Sequence, residues 1–317
     1  MFERLLRYAA VRRLPGFRVV ALAVVALGAG AAGAATPVPP KHTLEKIRET
    51  GAITIAVRES SIPFSYVDAS KRPIGFSVEV CQRIAEAIRN ELKLPSLDVG
   101  YLTVSAADRI PAIVEGRADL ECGNTTNNAA RRKQVAFSVT HFFAGGRLLV
   151  PAASSVRQIS DLRGKTIVVL RGSTHLAYLR GRIDAGLLDC RVAEARDTDE
   201  AFGMLGSGRA DAFLHDDVVL YALRASAPDP NAYRMTGDFT SVEPLALMLR
   251  KDDPEFKRAV DKALARMMIE GQFEQIYHRW FQAPIPPRNA NLDVPMNALL
   301  RDQVQFPSDK VGDDAGG

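Results

Sequence analysis

Gly51-Ala52-Ile53-Thr54-Ile55-Ala56-Val57-Arg58 runs from a glycine through an apolar, β-branched stretch to an arginine. The chain repeats that order at Gly164-Lys165-Thr166-Ile167-Val168-Val169-Leu170-Arg171. Runs of this length and composition read as buried strands. A second match follows each: Gly116-Arg-Ala-Asp119 in the first half and Gly208-Arg-Ala-Asp211 in the second. Two matches in the same order indicate related halves. Counting five onward from each aspartate reaches Asn124 in one half and Asp216 in the other.

Working outward, 43–50 reads as a short helix closed by Gly51. The first half then offers a strand over 53–57, a helix over 77–92 with apolar residues at helical spacing, a strand over 97–104, a helix over 109–115 and a strand over 118–122. The second half offers strands over 166–170, 191–195 and 210–214, with helices over 174–180, 199–205 and 218–225. Each half is a βαβαβ series, which predicts an α/β fold with a mostly parallel sheet flanked by helices. The apolar segment 137–150, with Gly145-Gly146 in it, reads as a crossing between two lobes. A strand over 244–250 returns the chain to the first lobe, and helices over 254–282 are interrupted at Gly271. The expected organisation is a first lobe over 42–143, a second over 146–240, a return over 244–287 and a C-terminal extension over 288–317. That extension reads as a wrapped segment and then disorder. About 280 residues beyond the leader suffice to bury two cores.

The leader is residues 1–35: Arg4, Arg7, Arg12, Arg13 and Arg18, then an apolar run to Ala32, then small residues with cleavage expected near Ala34 or Ala35. An uncleaved anchor is the alternative. The full chain has 41 Lys and Arg against 37 Asp and Glu; the leader holds five Arg and one Glu, leaving 36 of each. The excess of positive charge belongs to the leader, so no basic footprint remains for nucleic acid. Three cysteines, Cys81, Cys122 and Cys190, allow one disulfide in an oxidising compartment, and their spacing matches no metal site.

In open α/β sheets, ligands bind beyond the carboxyl ends of the strands. Arg58, Asn124, Arg171 to Thr174, and Asp216 all stand at such ends. The stretch Glu121-Cys-Gly-Asn124-Thr-Thr126-Asn-Asn128-Ala-Ala-Arg131 adds helix-opening residues and an arginine whose planar fork suits a carboxylate. A small zwitterion fits these residue types. Arg131 and the amides around Thr126 would hold an α-carboxylate, together with Ser173 and Thr174 at a helix start. Asp216, with Asn124, would accept from an α-ammonium; the alternative for Asp216 is an ordinary helix cap. Arg58 and Arg109 are left to meet a second carboxylate, and Phe64 to cover the ligand. No G-x-S-x-G elbow, H-E-x-x-H or complete P-loop is present, so no catalytic residue, metal or cofactor is expected. His215 is the one histidine near the expected cleft, and it reads as a core or surface residue.

Arg58-Glu-Ser-Ser-Ile-Pro-Phe-Ser-Tyr66, Glu121-Cys-Gly-Asn-Thr-Thr-Asn-Asn128, Gly208-Arg-Ala-Asp211, Arg250-Lys-Asp-Asp-Pro254 and Pro284-Ile-Pro-Pro287 carry a resemblance. The chain resembles the periplasmic amino-acid-binding proteins of ABC importers, the family-3 solute-binding proteins, and most of all their glutamate/aspartate branch. The resemblance implies the two-lobed periplasmic-binding-protein fold (type II), with lobes joined by two crossing strands that close over the ligand. It implies a monomer in the periplasm that delivers an acidic amino acid to an inner-membrane ABC permease. By position it points to Arg58, Arg109, Thr126, Arg131, Thr174 and Asp216. The branch tends to have serine at Asn124 and near Ala106, and histidine near Thr198; Ser105 is a candidate replacement for the missing hydroxyl at Ala106. Glutamine, another polar amino acid or a dicarboxylate remain alternative ligands. A cyclohexadienyl-type dehydratase on the same fold is the alternative enzyme, and the sensor half of a receptor is a third reading.

Overall fold

A computed structural model describes residues 42–312; the leader read over 1–35 lies outside the described residues. Helix α1 (Thr43–Thr50) stops at Gly51, whose φ of 64° lies in the left-handed region that favours glycine. Strand β1 (Ala52–Val57) follows, and then a small meander of β2 (Ser60–Ser61), β3 (Ser65–Val67) and β4 (Pro73–Ile74). Helix α2 (Phe76–Glu91) buries Val78, Cys81, Ile84, Ala85 and Ile88, the stripe its periodicity predicts. Strand β5 (Asp98–Thr103), helix α3 (Arg109–Val114), strand β6 (Leu120–Glu121) and the short α4 (Ala129–Arg132) complete the first half. Strand β7 (Val135–Pro151) is 17 residues long and carries the chain into the second half. There β8 (Thr166–Leu170), α5 (Thr174–Asp184), β9 (Arg191–Ala195), α6 (Thr198–Gly206), β10 (Ala212–Asp216), α7 (Asp217–Ala225) and β11 (Tyr233–Thr236) alternate. Strand β12 (Val242–Arg250) leads back to α8 (Pro254–Ile269) and α9 (Gln272–Phe281).

The strands lie in the order β5-β1-β6-β12-β7-β10-β8-β9. Strand β1 is parallel to both its neighbours, and so is β8. Between these parallel sets β7 and β12 run antiparallel, with Gly145 opposite Val242 and Ala144 opposite Glu243. Gly145 and Gly146 lack side chains for a packing reason. A Cβ on Gly145 would lie 2.2 Å from the Phe239 ring, and one on Gly146 would lie 2.3 Å from Thr240 Oγ1.

The repeated Gly-Arg-Ala-Asp motif makes the same clamp twice. Asp119 Oδ2 accepts from Thr54 N at 2.8 Å while the Asp119 amide donates to Thr54 O at 2.8 Å. Asp211 Oδ2 accepts from Thr166 N at 2.8 Å, and the Asp211 amide donates to Thr166 O at 2.7 Å. Each aspartate therefore fixes the strand beside it, and with it the direction of that strand's carboxyl end.

Phe64 is fully buried, with its ring 5.0 Å from Phe142 and 5.8 Å from Phe281 in an aromatic cluster behind β7. The expectation that it covers a ligand is corrected, because its face is spent on core packing. Cys81 and Cys122 form the disulfide, Cα to Cα 6.3 Å, and Cys190 is free. It ties α2 to the segment after β6. The described part of the C-terminal extension, 288–312, holds more regular structure than its composition predicts. Strand β13 (Pro284–Ile285) pairs with β14 (Ala290–Asn291), and helix α10 (Ala298–Gln305) buries Leu300 and Val304. Its cap, Asn297, accepts from Leu300 N at 2.9 Å. Among the described residues no helix is long and apolar enough to cross a membrane.

Candidate ligand-binding site

The carboxyl ends of β1 and β6 face those of β8 and β10. Arg58, Arg109, Asn124, Thr126, Ser173, Thr174 and Asp216 surround one cavity there, together with Ala106, Leu170, His175 and His215. The cavity volume is about 20 Å³, room for a single water, so a larger ligand enters only if its walls separate. A larger groove of about 520 Å³ between α2 and α8 is lined by exposed charged side chains such as Arg83 and Glu86 and has no buried polar cluster.

Two guanidiniums enter the cavity from the first half. Arg58 is 2% exposed and donates through Nε to Val104 O at 3.1 Å. Burial, then the like charge of Arg109, pushes its pKa down to about 10. Arg109 is equally enclosed at the start of α3, its Nε has no hydrogen-bond partner, and burial lowers its pKa too. The carboxyl of Glu121 shares this space. Burial raises its pKa, the charge of Arg109 is the largest opposing influence, and neither oxygen finds a well-formed hydrogen bond. Gly123 makes the arrangement possible, since a Cβ there would sit 2.5 Å from Glu121 Oε1 and 3.1 Å from Arg58 Cγ. The two arginines expected to await a second carboxylate thus already have one buried carboxyl nearby, although neither of its oxygens makes a well-formed hydrogen bond.

Asp216 faces them from the end of β10. Its Oδ2 accepts from Asn124 Nδ2 at 2.8 Å, and its Oδ1 lies 3.0 Å from His175 Nε2. Burial opposes ionisation, but the hydrogen bond from His175 and its charge outweigh it and hold the carboxyl below the usual range. Its side chain is no helix cap; that task falls to Asp217, whose Oδ1 accepts from Val218 N at 2.8 Å. For His175, burial lowers the pKa while the bond to Asp216 outweighs it, and the net shift is upward. His215 accepts from the Asp216 amide at Nδ1, 2.6 Å, leaves Nε2 unpartnered, and is pushed down by burial. Donor atoms of His175, His215 and Asp216 lie within 4.8 Å of one another. Their lone pairs are taken up by this network and two guanidiniums line the same cavity, so the residues present do not fit a divalent cation.

Glu243 on β12 is 1% exposed. Its Oε2 accepts from Thr126 Oγ1 at 2.6 Å and Thr174 Oγ1 at 3.1 Å, and its Oε1 from Ser241 Oγ at 2.6 Å. One hydroxyl from each half therefore meets on a carboxylate of the connecting strand. Arg131 stands just behind the cavity wall and spans the halves as well. Its Nη1 donates to Thr126 O at 2.9 Å and its Nη2 to Gly172 O at 3.2 Å. Burial, then the charge of Arg109, lowers its pKa to about 9.

Two sequence expectations are corrected, those for Arg171 and Ser105. Arg171 is exposed and pairs with Glu194 at 3.3 Å, away from the cavity. Ser173 lines the cavity at the start of α5, and its hydroxyl caps that helix, accepting from Leu176 N at 3.1 Å and donating to Leu170 O at 2.7 Å. Ser105 is not among the residues that surround the cavity, and its Oγ accepts from Asp108 N at 3.1 Å, so it does not replace a hydroxyl at Ala106. His175, Glu121 and Glu243 were missed, and His215 was set aside. The strand-end rule that selected Asp216 also covers His215 and Glu121, each next to a chosen residue or at the same strand's end.

Parallel α/β halves joined by two crossing strands, with a buried polar cavity where their strand ends meet, define a two-lobed solute-binding protein of the type II periplasmic class. Residues 53–283 match the family described as bacterial extracellular solute-binding proteins, family 3, and the chain belongs to that family. It is 41% identical over 272 residues to an L-glutamate/L-aspartate-binding protein of Pseudomonas aeruginosa, covering 86% of this chain and 90% of that protein. It is 37% identical over 300 residues to a glutamate/aspartate import solute-binding protein of Escherichia coli, covering 94% and 98%. Among solved structures, an ancestral arginine-binding protein bound to arginine aligns with a TM-score of 0.66 at 29% identity, over 73% of this chain and 98% of that one.

Proposed function

We propose that this protein captures an acidic L-amino acid, glutamate or aspartate, in the cavity and delivers it to the permease of an ABC importer. The observation that carries the reading is the opposition of Arg58 and Arg109 to Asp216 across one buried space. The same lining offers positive charge for a side-chain carboxylate and negative charge for an α-ammonium. The names of the glutamate/aspartate-binding relatives support the same ligand class. Arg131 spends two of its five N–H donors on carbonyls, leaving others for the α-carboxylate beside Thr126 and Thr174. The lobes hinge where β7 and β12 cross, near Gly145-Gly146 and Val242–Pro244. Residues 1–35 act as an export leader, placing a monomer in the periplasm.

No residue is assigned a catalytic role: binding and release complete the task, and no cofactor or metal enters it. Mass spectrometry of ligand released from purified, denatured protein tests the reading. Glutamate or aspartate is the expected species; an unrelated ligand would overturn it. Incubation with prephenate or arogenate is expected to return both unchanged, and turnover would favour a dehydratase.

A further inference from the structure

We infer that His175 gives up a proton when an α-ammonium docks on Asp216, which makes this histidine a specificity-determining residue of the cavity. The inference rests on the functional reading above. His175 Nε2 and Asp216 Oδ1 are 3.0 Å apart, and both side chains are about 95% enclosed or more. Asp216 Oδ2 is held by Asn124 at 2.8 Å, so both oxygens have a donor before a ligand arrives.

The groups that face His175 come from three elements. Asp216 and His215 approach from β10, Glu243 from β12 and Arg131 from α4. The two carboxylates favour the imidazolium; burial and Arg131 oppose it, and the carboxylates prevail, so the pKa of the ring is raised. His215 cannot take this part, since its Nδ1 is committed to the Asp216 amide and burial disfavours its charged form.

A docking ammonium places a second cation against Asp216 in a space with little water to screen it. Glu243 already accepts from three hydroxyls, so Asp216 is the carboxylate left to meet both cations. The imidazolium therefore releases its Nδ1 proton to the buffer and keeps Nε2–H on Asp216, while the ammonium N–H groups take the remaining lone pairs. A dicarboxylate without an ammonium brings no such cation and leaves the imidazolium in place. The bound amino-acid complex thus holds one proton fewer than the free protein, and amino-acid affinity rises with pH. Selectivity for glutamate over glutarate should grow with pH, approaching about tenfold per pH unit where His175 is charged in the free protein.

The test is calorimetry of glutamate and glutarate binding to wild type in buffers of different ionisation enthalpy, at several values between about pH 5.5 and 8. The expected result is release of close to one proton per glutamate at the acid end, declining as pH rises, and none for glutarate. His175→Gln keeps a donor for Asp216 without a titrating ring and is expected to abolish the release. Glutamate binding without proton release at every pH, or His175→Gln releasing as many protons as wild type, would overturn the inference. If folded protein binds no amino acid at all, the functional reading falls and this inference falls with it.

Discussion

Asn124 Nδ2 donates to Asp216 Oδ2 across 2.8 Å, joining the two residues that stand five positions beyond the matched aspartates of the two halves. Equivalent strand ends of a repeated unit thus meet face to face, and the meeting point is the acidic end of the cavity. Asn124 aims the carboxylate, while Asp216 supplies the charge. Asp216→Asn removes that charge and keeps the shape. Glutamate affinity is expected to fall by about 1.5–3 kcal/mol, ten- to a hundredfold, the range for a charged hydrogen bond. Glutarate, which has no ammonium, should lose much less. Calorimetry giving equal losses for the two ligands would remove Asp216 from the ammonium role.

Closure depends on a glycine. Gly172 has φ of 76°, and a Cβ there would come 2.8 Å from Ala107 Cα and 3.0 Å from Ala106 O, both backbone atoms of the opposite half. Backbone on both sides leaves little room to yield. Gly172→Ala should weaken glutamate binding by at least about tenfold, on top of about 1 kcal/mol of backbone strain. Small-angle scattering should show wild type becoming more compact with ligand and the variant keeping its ligand-free dimensions. A variant that compacts like wild type would show that the contact does not limit closure.

The Cys81–Cys122 bridge closes a loop with a sequence separation of 41. A loop of that size is expected to contribute about 3–4 kcal/mol by restricting the unfolded chain. The Cys81→Ala/Cys122→Ala double variant should therefore unfold at lower denaturant. Because Cys122 lies two residues before Asn124, glutamate affinity should weaken too. Denaturant melts of both proteins under one condition check the first statement, and a superimposable melt would refute it.

Much of the strand-and-helix order was legible because periodicity is a local property. Strands β8 and β9 match the expected bounds, and α1 and the break at Gly271 follow from a glycine's φ. Helix α10 escaped because its signal is only Asn297 and two buried apolar residues in a polar tail. The cavity was partly legible, since strand ends converge in such folds whatever their side chains. What sequence could not show was how each side chain is spent. Phe64 beside Pro63 reads like a ligand cover, yet its ring completes a cluster with residues far along the chain. Ser173 and Ser105 carry free hydroxyls on paper and cap backbone amides in the fold. Glu243 was invisible as a site residue because its role comes from burial beside threonines distant in sequence.

The central claim is that Arg58 and Arg109 read an acidic side chain. Glu121 lies beside them, but burial opposes its charge and neither of its oxygens makes a well-formed hydrogen bond, so it compensates the two guanidiniums only in part. A glutamate side chain supplies the missing charge, whereas glutamine supplies only a dipole. The direct measurement is titration of wild type and Arg58→Met with glutamate, aspartate and glutamine at one pH and salt concentration. Glutamate should bind wild type at least about tenfold more tightly than glutamine, and Arg58→Met should narrow that gap. Equal affinity of wild type for glutamate and glutamine, or an undiminished preference in Arg58→Met, would contradict it.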